Sequence, residues 1–374
     1  MTTIKQVVDS PKVARIRVLE AQVQDLKDKL SNQATALDHE KIVLRAKLST
    51  QASQLTKYIK KEEKVKEYIA EVIDAVRAED TLPRVNYRSP KSVISKTPIT
   101  AVMHLTDWHI GERNAASEME GWGGFDWQIA QDRVLGQLLP HFVEWVDTQR
   151  SGYNIKDLVI VETGDFVSGD IHEELKVTNE FPLPIQTAKA GRLLGDVHCE
   201  LAAHFDNVFV QQIGADNHSR LVRKPQAAQK SQNSMSYLVY EIANEVAKKQ
   251  PNMFPHRAEG MKLTFNVGKY VFLGEHGDTV KSWMGVPFYG LERERAREAT
   301  RRMHDGRGFH YIMMGHYHTP GFWGTADAGG LIMGGCLGGT TPFDHSCGRI
   351  SPPTQTGFLV GKRGAFGFVP FRLK

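Results

Sequence analysis

Apolar positions along this chain follow two rhythms. From residue 11 to residue 76 they recur every seven residues, at Ile16, Val23, Leu30, Leu37 and Leu44, with Leu19 and Leu26 at the partner positions of the first heptads. A sustained seven-residue spacing holds one helical seam against a partner, so it predicts a coiled coil. The repeat then slips by four and resumes at Leu48, Leu55, Ile69 and Val76, joined by Tyr58, Val65 and Val72. Such a stutter unwinds the supercoil locally without ending it. No Gly or Pro interrupts the run except Pro11 at its start, where the ring is tolerated. At 1.5 Å per residue the helix would reach roughly 100 Å. Gln33, Glu40 and Lys47 are polar at seam positions, and the alternative to self-association is a helical hairpin. We expect residues 1–76 to form an N-terminal helical coiled coil that makes a homo-oligomer.

Residues 77–98 carry Pro83, Pro90 and Pro98 among Arg84, Arg88, Lys91 and Lys96. Prolines at this density break helix and favour extended chain, so this stretch reads as a basic linker. From Ile99 the second rhythm begins. Short apolar runs, ITAVMHLTD, DLVIVETGD, NVFVQQIGADNH, KYVFLGEHGD and HYIMMGHYH, read as buried strands. Between them lie helical stretches such as 127–147, 185–205 and 234–249. Alternation of this kind predicts an α/β domain over residues 99–374.

Each of the five runs ends in polar residues able to hold a metal. In order they are Asp107 with His109, Asp165, Asn217 with His218, His276, and His316 with His318. In α/β sheets, ligands bind beyond the carboxyl ends of strands, which is where these residues fall. Carboxylate, amide and imidazole donors without thiolate suit Mn, Fe or Zn.

Composition narrows the setting. The chain has 374 residues and a net charge of +4. Residues 1–98 hold 19 Lys and Arg against 13 Asp and Glu, and the remainder 28 against 30, so the basicity lies outside the part bearing the ligands. Cys199, Cys336 and Cys347 form no CxxC pair and suggest reduced thiols. The N-terminal MTTIKQVVDSPKV lacks the apolar core of a signal peptide, and no segment approaches the ~20 apolar residues of a membrane span. A cytoplasmic protein with no membrane contact is expected.

Taken together, DWH at 107–109, GD at 164–165, GADNHS at 214–219, GEHGD at 274–278 and GHYH at 315–318 resemble the motifs of the calcineurin-like metallophosphoesterases. The resemblance covers residues 99 to about 345. It implies a two-sheet α/β sandwich flanked by helices and a site for two divalent metal ions. Asp107, His109 and His318 would bind the first ion, Asn217, His276 and His316 the second, and Asp165 would bridge them. His218 would stabilise developing charge or protonate the leaving oxygen, making it, with Asp165, a catalytic residue. Mn is the favoured metal, with Fe or Zn as alternatives.

HLTDWHIGE is similar to a segment of SbcD-type DNA exonucleases, which implies a phosphodiester substrate in nucleic acid, most plausibly DNA, and leaves room for a partner protein. A phosphomonoesterase acting on phosphoprotein or a small metabolite, or an inert adaptor, are the alternatives. Two departures stand out. Ser219 replaces the usual acid after the His, so His218 needs another partner, with Asp216, Asp107 and Asp278 as candidates. Ser168 stands where SbcD-type enzymes often have a His, and His172, four residues further on, is the candidate substitute. Ser168, Asp170 and His172 are assigned to substrate positioning. The arginine-rich stretch 291–307 reads as a solvated helix with interleaved Glu, or else as a phosphate groove. Trp122, Phe125 and Trp127 would stack on a base or close a loop over the core. Gly329–Gly339 reads as a strand and tight turn, with Cys336 a small core residue.

Overall fold

The computed structural model describes residues 97–280, 288–346, 348 and 350–374, with helical fragments at 15, 17–29, 41, 44, 47–53 and 56. The chain divides into two units, Met1–Ala70 and Glu71–Lys374. The predicted coiled coil is thus described only in fragments. There Leu26 is 63% and Leu48 70% exposed, so these seam positions are uncovered in the single chain. Seam residues Ile16, Leu30, Leu37, Leu55, Tyr58, Val65, Ile69, Val72 and Val76 lie outside the described residues. So does the proposed linker, apart from Thr97 and Pro98.

Two sheets carry the larger unit. The first is built from β1 (Pro98–Leu105), β2 (Asn154–Glu162), β3 (Asn207–Gln212), β4 (Met253–Arg257), β10 (Thr354–Gly361) and β11 (Gly364–Arg372), in the order β11-β10-β1-β2-β3-β4. Strands β1 to β4 are parallel, and β10 and β11 add an antiparallel edge. The second contains β5 (Lys262–Val267), β6 (Tyr270–Glu275), β7 (Tyr311–Met314), β8 (Gly321–Gly324) and β9 (Gly330–Met333), in the order β5-β6-β7-β9-β8. Its centre, β6-β7-β9, is parallel.

The sheets bury one face against each other. Val102 and Val159 of the first pack in one cluster with Phe272, Tyr311, Met313 and Ile332 of the second. Because side chains alternate along a strand, Ala101, Met103 and Leu105 join a separate core with the helices on the other face. Those helices include α1 (Trp127–Gln131), which runs through a π-wound stretch (Asp132–Leu138) into α2 (Leu139–Arg150). A short α3 (Glu173–Thr178) follows, then α4 (Leu183–His204) and α5 (Met235–Ala247). Phe142, Val197 and Val239 anchor the three long ones in that core. On the outer face of the second sheet, Leu291 of α6 (Phe288–Met303) packs with Ile312 and Leu331. A last short helix, α7 (Pro342–Ser346), precedes β10.

The architecture is mixed α/β with two sheets and helices outside, as expected. The five apolar runs are strands β1, β2, β3, β6 and β7. Two parallel sets of strand ends therefore open on one edge of the sandwich.

Candidate metal centre

The loop after β1 is fixed from both sides. Trp108 is fully buried against Phe166, with ring centroids 5.0 Å apart. The flanking Asp107 and His109 N–H groups donate to the carbonyls of Gly164 and Asp165 at 3.0 Å, tying the loop after β1 to the loop after β2. Asp107, His109, Asp165, His316 and His318 have φ between 49 and 69°. They are five of the eight non-glycine residues with positive φ among the described residues. Left-handed backbone at non-glycine residues persists only where surrounding contacts hold it, and it clusters at functional sites. Gly315 is required by close approach. A Cβ there would lie 2.3 Å from Asp107 Oδ2 and 2.1 Å from Thr106 Oγ1. Without it, the His316 N–H reaches both Asp107 oxygens at 3.0 and 3.1 Å.

The predicted ligands meet in two groups. In the first, His109 Nε2 is 3.1 Å from His318 Nε2, and Asp107 Oδ1 lies 3.8 Å from the former and 3.5 Å from the latter. In the second, His276 Nε2 is 3.0 Å from Asp165 Oδ2 and 2.9 Å from Asn217 Oδ1. His316 belongs here too, its donor within 4.8 Å of those of Asp165 and His276. Asp165 is common to both sides, for it also groups with His109 and His218. Donors on one cation at about 2.1 Å stand about 3.0 Å apart in an octahedron and about 3.4 Å apart in a tetrahedron. The distances of 2.9 to 3.5 Å fall near this scale and Asp107 Oδ1 to His109 Nε2 is wider at 3.8 Å, so the donor set fits two cations sharing Asp165 with small side-chain adjustments.

Hydrogen bonds aim the rings. His276 Nδ1 bonds the Thr163 carbonyl at 2.8 Å, His318 Nδ1 bonds Asp344 Oδ2 at 3.2 Å, and His218 Nδ1 bonds the Ser168 carbonyl at 2.7 Å. An acceptor on one ring nitrogen holds the proton there and presents the other nitrogen's lone pair, the usual arrangement of metal-binding imidazoles. With its Nδ1 proton on Asp344, His318 turns Nε2 toward His109 Nε2. His109 Nδ1 is buried and has no hydrogen-bond partner among the described residues.

Electrostatics show how crowded the centre is with protons alone to balance it. Burial disfavours charge on His276, but the Asp165 carboxylate, with Asp107 and Asp278, outweighs it and lifts the ring to about 10. Burial, with His218 and His318 adding repulsion, drops His109 to about 3. Burial and the neighbouring His276 take His316 to about 4. Burial would also raise Asp107, yet the His318 hydrogen bond and charge bring it down to about 2. On each side one imidazole is pushed up and one down, since against its burial Cys336, Asp107 and Asp344 hold His318 well above its ordinary value.

The remaining assignments sort differently. His218 takes a backbone carbonyl, not one of the three candidate carboxylates. Asp278 is engaged by Lys230, at 2.6 and 2.7 Å. Asp216 is fully buried, where burial raises its carboxyl, and accepts from the Asp165 and Ser219 N–H groups and from the Ser219 and Ser236 hydroxyls. The lengthened GADNHS turn therefore serves to pin the bridging residue's backbone. The Ser168 side chain is buried and bonds Asn179, so it meets the site through its carbonyl. His172 is exposed at the mouth, its ring 5.9 Å from that of His218, and Asp170 is half-buried beside it.

Arginines 295, 297, 301 and 302 pair with Asp327, Glu294 and Glu298, which favours the solvated-helix reading. Phe125 is core, Trp127 packs against it, and Trp122 is exposed. Residues 330–333 form strand β9, as read.

Three side chains at the centre were not picked out as such from the sequence. Asp344 orients His318. Glu112 is buried, its carboxyl raised by that burial, and accepts from Asn114 at 3.0 Å. Cys336 is indeed buried, but it sits against the first group, its Sγ within 4.8 Å of donor nitrogens of His109 and His318. Burial pushes its thiol up to about 12.

No family model and no curated protein matches the chain. Similar solved structures include an archaeal phosphodiesterase at 9% identity and TM-score 0.32, covering 72% of this chain and 99% of that one. A Vps29 from Entamoeba histolytica, solved with zinc, is 10% identical at TM-score 0.28, covering 73% and 99%. A putative 5'-nucleotidase from Staphylococcus aureus is 8% identical at TM-score 0.30, covering 74% and 54%. At these values the likenesses decide nothing about activity, and the functional reading rests on the geometry of the site.

Proposed function

We propose that this chain is a dinuclear metal-dependent phosphoesterase. The observation that carries it is the meeting of Asp107, His109, Asn217, His276, His316 and His318 in two donor groups that share Asp165, at separations compatible with cation coordination. Asp107, His109 and His318 would hold the first ion, Asn217, His276 and His316 the second, and Asp165 would be shared between them. When bound, such an ion pair acidifies a shared water and neutralises charge on the phosphoryl group.

The chain's own residues supply the rest. The His218 backbone N–H donates to Asp165 Oδ1 at 2.9 Å, and its ring is oriented by the Ser168 carbonyl. With Nδ1–H on that carbonyl, the doubly protonated ring would give its Nε2 proton to the leaving oxygen. Arg220 and Arg223 stand near His172, and Arg223 is paired with Glu173 at 2.6 Å. His172 and Asp170 border the entering group.

The substrate we propose is a nucleic-acid phosphodiester, most plausibly DNA, resting on the SbcD-like HLTDWHIGE segment. The N-terminal helices would join copies of a cytoplasmic protein, with residues 77–98 as linker, and a partner protein is compatible with this arrangement. Mn is the favoured metal from the donor types. The test offers Mn-loaded protein bis-p-nitrophenyl phosphate, p-nitrophenyl phosphate and end-labelled linear DNA. Diester and DNA cleavage are expected. Turnover of the monoester alone overturns the nuclease assignment, and no turnover of any substrate favours an adaptor.

A further inference from the structure

We infer that Cys336 is a thiol ligand of the first cation site and makes that site prefer a thiophilic cation, Zn²⁺ or Co²⁺, over Mn²⁺. The inference rests on the dinuclear reading above and goes beyond it, since the donors considered so far are all nitrogen and oxygen. Three observations carry it. Cys336 Sγ lies within 4.8 Å of donor nitrogens of both His109 and His318, whose own Nε2 atoms face each other at 3.1 Å. Cys336 is fully buried, and no hydrogen bond engages its sulfur among the described residues. His109, the ligand beside it, is itself 1% exposed, so the sulfur and this imidazole share a closed corner shielded from water.

The backbone places the thiol there. After β9 the chain is pressed against β10, where Thr354 N–H donates to the Cys336 carbonyl at 2.8 Å. A Cβ on Gly335 would fall 2.5 Å from the Thr354 carbonyl oxygen, so only glycine lets this strand end approach so closely. The next residue, Leu337, donates its N–H to the Asp107 carbonyl at 3.0 Å. Cys336 is therefore held between two anchored neighbours beside the first motif.

Sulfur at about 2.3 Å and nitrogen at about 2.0 Å from one cation stand about 3.5 Å apart, so at most about 1.3 Å of side-chain movement completes the contact. On binding, the S–H bond breaks, its electron pair stays on sulfur and forms the sulfur–metal bond, and the proton passes to solvent. Thiolate favours thiophilic ions, whereas an all-oxygen and nitrogen sphere accepts Mn²⁺ without that advantage.

Cobalt titration of the metal-stripped full chain tests this, because a thiolate on Co²⁺ gives a near-ultraviolet charge-transfer band that imidazole and carboxylate do not. The expected result is two cobalt ions per chain and that band in the parent, in Cys199→Ser and in Cys347→Ser, with the band lost in Cys336→Ser and Cys336→Ala. Zn²⁺ affinity at one site should fall at least tenfold in both Cys336 variants, about the loss that even an outer hydrogen-bond partner costs, while Mn²⁺ affinity holds. Two bound cobalt ions without the band overturn the thiol assignment and leave the dinuclear reading standing. Failure to bind cobalt in the correctly folded parent, judged by circular dichroism, overturns both.

Discussion

Asp344 offers a way to weaken one metal site and spare the other. Its carboxylate bonds His318 Nδ1 at 3.2 Å and is itself braced by the Thr341 hydroxyl at 2.8 Å. His276, on the other side, is oriented by the Thr163 carbonyl, which no side-chain change removes. Outer partners of ligating imidazoles typically contribute 10–100-fold in metal affinity, or about 1.4–2.7 kcal/mol. Asp344→Asn keeps an oxygen able to accept the Nδ1 proton but loses the charge that raises the ring's basicity, so it should cost about tenfold. Asp344→Ala removes both and should approach about a hundredfold. The assay is a two-site competition against a fluorescent chelator, with His276→Ala marking the second site. Only the site that survives in His276→Ala should weaken. Equal weakening of both sites, or unchanged affinity in Asp344→Ala, would refute the orientation argument.

The bridge gives the sharpest loss of function. Asp165→Asn should abolish metal-dependent turnover and reduce bound metal at both sites, and an active variant would refute the shared carboxylate. His218→Ala should retain two metals by elemental analysis while turnover drops about 10²–10⁴-fold, the usual weight of proton transfer; loss of metal would instead make it a ligand. His276 has its folded pKa raised from 6.5 to about 10. Without metal, its charge therefore stabilises the fold fully below pH 6.5 and loses that effect as pH rises through about 10. The stability gap between metal-stripped parent and His276→Gln should narrow from pH 7 to 10 in urea unfolding, and a constant gap would sink the reading. Asp216→Ala strips acceptors from two backbone N–H groups and two hydroxyls. It should destabilise by about 3 kcal/mol, and a neutral result would show the lengthened turn to be idle.

The strands and the ligand order were legible because parallel, doubly buried strands must be continuous apolar runs, and a metal ligand has few chemical alternatives. β4, β5, β8, β10 and β11 escaped notice: β4 and β8 are short and exposed, as at Phe254 and Phe322, and β5 alternates buried with exposed positions. The ring-orienting partners were not legible for a different reason. The acceptors for His276 and His218 are carbonyls of Thr163 and Ser168, and every residue has a carbonyl. Asp344 is a carboxylate 26 residues from His318, with nothing local to mark it. Cys336 was read as core from its apolar surroundings, and only the approach of β9 to β10 shows what it faces.

The left-handed turns at Asp107, His109, Asp165, His316 and His318 tax folding by on the order of 1 kcal/mol each. Glycine would relieve that tension, but at Asp107 or Asp165 it would also strip the acceptor from the His316 or His218 backbone N–H. On the proposed dinuclear reading, the residues that would hold cations are the same ones that burden the fold.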